Sequence, residues 1–294
     1  MLAIPISAGN HTIAENPLWV HSGKPADFGG SFRVTRIIFV FLIFLTCANL
    51  FADEARENLA IPVPGEPAAA AQARQAFADA RAQYESHSTN SDAAWQFARA
   101  CFDLAEFARD KPERAHLAEL GMDAARSDIE RDPNSAPGHY YLGMNMGQLA
   151  RTETLGALRL VRQMETEFSK ARELDEYLDY AGPDRNLGLL YRDAPSFASI
   201  GNKNKARLHL RKSIALAPGY PENRLNWIET CLKWDDRAAA AREMQALETL
   251  LPKAKKEFSD EKWKVVWQDW EKRISDAKEK IGEKPQPIKS PRAK

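Results

Sequence analysis

Three cysteines are all the sequence offers for cross-linking. One of them, Cys47, sits in an apolar run near the N-terminus, which leaves Cys101 and Cys231. An oxidising compartment would permit a bridge between these two. They fall on different helical units, however, and that separation argues against one. Both read as buried thiols acting as small hydrophobes. Net charge is missing as well: 41 Lys and Arg balance 41 Asp and Glu. No global field draws the chain to nucleic acid or to an anionic membrane. Strand-like alternation of useful length is absent. So are catalytic signatures. The six histidines are scattered, with no HExxH and no Cys/His spacing for zinc. There is no Walker phosphate loop and no GxSxG nucleophile elbow. The reading is a protein that catalyses nothing and needs no cofactor or metal.

What remains is rich in helix formers. Ala, Leu, Glu, Lys and Arg dominate, and 44% of the 294 residues are hydrophobic, enough for a sizeable core. Ile37–Leu50 is a mostly apolar run with Arg33 and Arg36 before it and small Ala52 after it. That order is a secretory signal. The run is short for a bilayer span, which needs about 20 residues. Phe44-Leu45-Thr46 lacks the small residue expected ahead of a lipidated Cys47. The chain is therefore expected to be periplasmic or secreted, with inner-membrane anchoring by the uncleaved run as the alternative. The organisation reads as an extension or over-long start (1–32), a signal (33–52), a linker (53–67), a helical repeat domain (68–252), a capping helix (253–282) and a disordered basic tail (283–294).

Prolines divide the repeat domain. Pro218 and Pro252 are 34 residues apart, and Pro133 lies 85 before Pro218. A 34-residue period is the tetratricopeptide signature, a helix–turn–helix with small residues where the helices touch. With Pro218 closing one unit, Ala206 takes the small position of its second helix, and Leu187-Gly188 and Tyr191 the contact positions of its first. With Pro252 closing the next, Ala240 takes the small position. An earlier unit has Leu142-Gly143, Met146, Phe168 and Ala171, and the first has Trp95, Ala98 and Phe102. The fold class is all-α, a tetratricopeptide-like solenoid of four to five hairpins. Two departures mark it: an elongated centre at Ala150–Phe168 and a Pro/Ser/Gly/Asn loop at Arg192–Ala206.

"HYYLGMNMGQLA" (His139–Ala150), the segment Gly182–Asn223 with its Asp193-Ala194-Pro195 loop, and the following "WIETCLKW" carry a resemblance. They resemble the T-component proteins associated with TRAP transporters, and more loosely are similar to the regulator of microtubule dynamics family. The first implies a helical periplasmic protein beside a transporter. Both imply a tetratricopeptide-like fold.

Such folds line a concave face with their first helices. In this register Tyr140 and Met144 point there, flanked by Tyr141 and Asn145, and Arg185, Arg192 and Glu229 follow from later units. These are the candidate groove residues. Arg185 either meets a ligand carboxylate or pairs with a neighbouring acid. Trp263, Trp267, Trp270 and Ile274 lie on one face of the last helix, at steps of 4, 3 and 4. They read as a cap that seals the last hairpin; a lipid-surface helix, aided by the basic tail, is the alternative. The expected partner is a protein or a small organic ligand, with peripheral membrane contact and self-association left open. Nucleic acid is not expected. Mass spectrometry of the exported protein is expected to show a mature chain beginning near Asp53; an intact Met1 or a lipid on Cys47 would contradict the cleaved signal.

Overall fold

The structure is a computed structural model, which describes residue 59 and residues 65–87, 90–153 and 156–282. The N-terminal extension, the signal, most of the linker and the basic tail lie outside the described residues. Within them the chain is helical throughout, with no strand. The helices are α1 (Ala68–Ser86), α2 (Ser91–Ala105), α3 (Lys111–Arg131), α4 (Ala136–Ala150), α5 (Ala157–Leu174), α6 (Leu178–Asp193), α7 (Lys203–Leu216), α8 (Pro221–Lys233), α9 (Arg237–Glu257) and α10 (Lys264–Gly282). A short 3₁₀ turn, Glu261–Trp263, leads into α10.

Local chemistry sets many of the starts. The side chains of Asn90, Asp110, Ser135, Asn202 and Asp236 each accept a backbone N–H from the first turn of the helix that follows. At α3 the arrangement is reciprocal. Asp110 accepts the Glu113 N–H at 2.8 Å, and the Glu113 carboxylate accepts the Arg109 N–H at 2.7 Å. Pro112, Pro137 and Pro221 stand in first turns, where a missing N–H costs nothing.

Four hairpins stack: α2–α3, α4–α5, α6–α7 and α8–α9. Each first helix also packs on the next first helix, so α2, α4, α6, α8 and α10 form one continuous inner layer. Helix α1 packs on α2 at the opposite end. The small positions lie where the period puts them. Ala98, Ala171, Ala206 and Ala240 are fully buried. Gly143 faces Phe168 so closely that a Cβ there would approach its ring to 2.7 Å. Cys101 and Cys231 are both free and buried. Burial raises the Cys231 thiol to about 11 and the Cys101 thiol well above its usual range.

Two expectations fail. Pro252 does not end its helix; α9 continues through it to Glu257. The proline is exposed, so water can take the carbonyl it frees, while Ala254 and Phe258 beyond it are buried and hold the last turn in place. The stretch Ala150–Phe168 is not an elongated centre either. The chain turns after Ala150 and α5 begins at Ala157, because Leu160, Val161, Met164 and Phe168 make a buried helical stripe.

At the C-terminal end Trp263, Trp270 and Ile274 are buried, and Trp267 is half-buried with its indole N–H on the Phe258 carbonyl at 2.7 Å. Trp270 meets Tyr220 edge-on, with centroids 5.3 Å apart. The aromatic face of α10 is thus used against the last hairpin. Among the described residues no helix is long and apolar enough to cross a membrane. Replacing Trp270 by Ala is expected to cost about 3–5 kcal/mol, read as an early thermal unfolding transition; an unchanged transition would mean that α10 melts separately from the solenoid.

Candidate functional site

The first helices turn polar side chains inward along the whole stack. In the N-terminal half these close on one another. Gln148 donates to Glu106 at 2.6 Å and accepts from Arg114, and Arg151 also reaches Glu106 at 3.0 Å. Asp103 lies beside Arg99. Burial lifts its carboxyl to about 6, against the pull of that guanidinium.

The seven candidate groove residues divide into two groups. Tyr140, Tyr141, Met144, Asn145 and Arg185 are buried within the fold and present no surface to a ligand. Asn145 donates to the carbonyls of Ala98 and Tyr141, each at 2.8 Å, and ties α4 to α2. Tyr141 stacks on Trp95, with centroids 5.9 Å apart. Tyr140 donates to Asp179 at 2.6 Å and accepts from Asn186 at 3.0 Å. Arg185 pairs with the same Asp179 carboxylate at 2.5 Å and donates to the Asp179 carbonyl at 3.1 Å and the Asn223 amide oxygen at 3.1 Å. Arg185 is therefore a structural cation paired with an acid six residues before it. Burial opposes its charge, but Asp179, Glu222 and the Tyr140 and Tyr220 hydroxyls hold its pKa above the usual range.

Arg192 and Glu229 form the second group. Both line a cleft of about 500 Å³ between the ends of α6 and α8 and the face of α10. Arg192 is braced by Asp193 at 2.7 Å and reaches the Thr230 hydroxyl at 3.3 Å. Glu229 holds Arg273 of α10 through two bonds of 2.8 and 2.9 Å. Arg273 also donates to the Asn226 amide oxygen at 2.6 Å and reaches buried Glu222 at 3.3 Å. Burial works against its charge, and the Glu229 bond with the Glu222 and Asp269 charges outweighs it, so its pKa rises. The Asn226 amide nitrogen is buried with no hydrogen-bond partner. Lys233 and Lys280 stand exposed on the rim, with Leu232, Asp276 and Ala277 between them.

Sequence reasoning missed Arg273, Asp276 and Lys280. Arg273 follows Trp270 by three and precedes Ile274, so it lies within the buried stripe; a cation in that position was the available signal. Among the described residues no group of three His, Cys, Asp or Glu side chains could hold a metal ion.

Comparison with known proteins gives one family. Residues 67–178 match the model of Regulator of microtubule dynamics protein 1-3. The match runs from the start of α1 through α5 to the first residue of α6, so it covers the first two hairpins and stops before the cleft. The chain thus resembles this tetratricopeptide-like family over part of its length. No curated protein sequence matches. Replacing Arg185 by Leu is expected to cost about 3–5 kcal/mol by stranding buried Asp179, seen in chemical denaturation; a stable variant would show that Arg185 is dispensable to the fold.

Proposed function

We propose that this non-catalytic helical-repeat protein binds an extended segment of a partner protein in the cleft between α6, α8 and α10. The carrying observation is that Arg192 and Glu229, from successive first helices, line a single cleft whose polar floor is already held in place. Thr230, Asp193 and the Arg273 bonds fix these side chains before any ligand arrives, which lowers the ordering cost of binding. The rim offers two exposed ammonium groups, Lys233 and Lys280. Lys233 is shared with Asp193, and Lys280 feels the charge of Asp276, a carboxylate that Lys272 already binds at 2.7 Å. An acidic side chain or a chain terminus carrying a carboxylate suits that rim. Leu232 and Ala277 supply the apolar contact between the two.

The reading extends to an exported protein, supported by the charge, apolar-run and small-residue order at 33–52. A place beside an envelope transporter is one form of it, supported by the resemblance of Tyr140–Gly147 and the Asp193-Ala194-Pro195 loop to T-component proteins. A photo-crosslinking residue placed at Leu232 tests the binding claim. Irradiation in the native envelope is expected to give discrete protein adducts at 232 and none from the same residue at exposed Asp123, and Lys233→Glu with Lys280→Glu is expected to abolish them. Equal adducts from both positions, or none at 232, would remove the cleft as a binding site.

A further inference from the structure

From Asp193 to Glu222 the chain carries no intervening acidic residue, yet it holds five Lys and Arg between Lys203 and Lys212. The second helix of the third hairpin, α7, contains all five. Its inner side is spent on the core through Ala206, His209, Leu210 and Ser213. Its outer side is not. Lys205 and Lys212 have carboxylate partners, Glu165 at 3.5 Å and Glu176 at 2.8 Å. Lys203, Arg207 and Arg211 have none among the described residues, and all three are exposed. They recur every four residues, one stripe about 12 Å long at the helical rise.

Two further features point to what covers this stripe. Lys203 and Arg207 both stand over the Trp234 ring, at 5.7 and 5.6 Å from its centroid. Two cations sharing one indole repel each other, and like charges four apart on a helix are unfavourable. Large apolar side chains also stand in solvent here. Leu208, on the same outer side, is 64% exposed, and Phe197, in the segment just ahead of α7, is 93% exposed.

We propose that the outer face of α7, with Phe197 ahead of it, docks on an anionic lipid bilayer. The cations meet the lipid phosphates and carboxylates at the headgroup level. Phe197 and Leu208 enter the boundary between headgroups and acyl chains, as the apolar side of an interfacial segment does. A bilayer suits the geometry better than an acidic protein segment. Asn204, Arg207, Leu208, Arg211 and Lys212 line a shallow, solvent-open and largely apolar depression of about 620 Å³, so apolar surface is framed by cations as at a boundary between acyl chains and headgroups. Phe197 stands out from the surface, which favours insertion into a soft layer over docking on a firm one. The cleft of the proposed function is lined by α6, α8 and α10, so a docked α7 leaves it open.

Co-sedimentation of the full chain with vesicles tests this, using phosphatidylcholine alone and phosphatidylcholine with phosphatidylserine. The N-terminal apolar run and the basic tail are common to every variant, so the increment from neutral to anionic vesicles is compared between variants. The unmodified chain is expected to gain affinity with phosphatidylserine and lose the gain as salt rises. Arg207→Gln with Arg211→Gln is expected to cut that increment by roughly 30-fold. Phe197→Ala is expected to reduce binding to anionic vesicles on the order of 10-fold. All the replaced side chains are solvent-exposed, and unchanged circular dichroism confirms that the fold is kept. No increment with phosphatidylserine, or full binding by both variants, overturns the proposal. Binding to polyglutamate without vesicle binding overturns it in favour of an acidic protein partner.

Discussion

One ion pair joins the two halves of the solenoid. Asp179, Tyr180 and Ala181 carry φ values of 49, 55 and 62°, three left-handed residues in succession with no glycine among them. Each such residue costs about 1–2 kcal/mol, so the turn needs outside support. Arg185 supplies it by binding the Asp179 carboxylate and the Asp179 and Tyr180 carbonyls at once. Gly182 then lets the chain pass Tyr140, whose hydroxyl would come within 2.5 Å of any Cβ there. The same guanidinium lies over the Tyr220 ring, 5.5 Å from its centroid, and Tyr220 stacks on Tyr180 and meets Trp270. Contacts therefore run unbroken from α4 through the turn to the terminal helix. Without the pair, the turn would lose its carbonyl partners and α6 its place on α4.

The same turn explains what could be read from the sequence. The small residues Gly143, Ala206 and Ala240 and the aromatic stripe of α10 were legible because each is a local pattern whose spacing states its own geometry. Asp179–Asp184 was legible as a break. Its left-handed backbone was not, because Tyr and Ala rarely adopt that conformation, although Asp tolerates it; a guanidinium imposes it from a buried position. Pro252 misled for a related reason. A proline signals a helix end only where tertiary burial does not carry the helix past it, and Ala254 and Phe258 do so here.

The candidate site was legible in part. Arg192 and Glu229 reached the cleft because the register of the first helices was right. Tyr140, Met144 and Arg185 followed the same register, yet they lie deeper, where the inner layer is closed by its own hydrogen bonds. Register locates the face a residue points to and says nothing of how far the next helix covers it. Arg273 was missed because it pairs with Glu229 across 44 positions, a separation at which no local pattern exists. The basic face of α7 is not legible in the overall charge, because whole-chain neutrality conceals a charged segment when its counter-ions lie elsewhere.

Helix α10 has two duties that draw on one equilibrium. It seals the last hairpin, and through Arg273, Asp276 and Lys280 it forms one wall of the cleft. Terminal helices are where local opening starts in a linear stack. Any molecule that bridges α8 and α10 must then also suppress fraying, and by linkage whatever loosens the terminal helix weakens the hold on that molecule by the same factor. Occupancy would therefore be written in the protease sensitivity and amide exchange of the last nineteen residues of the stack, Lys264–Gly282, making the end of the solenoid a built-in reporter of its own binding state.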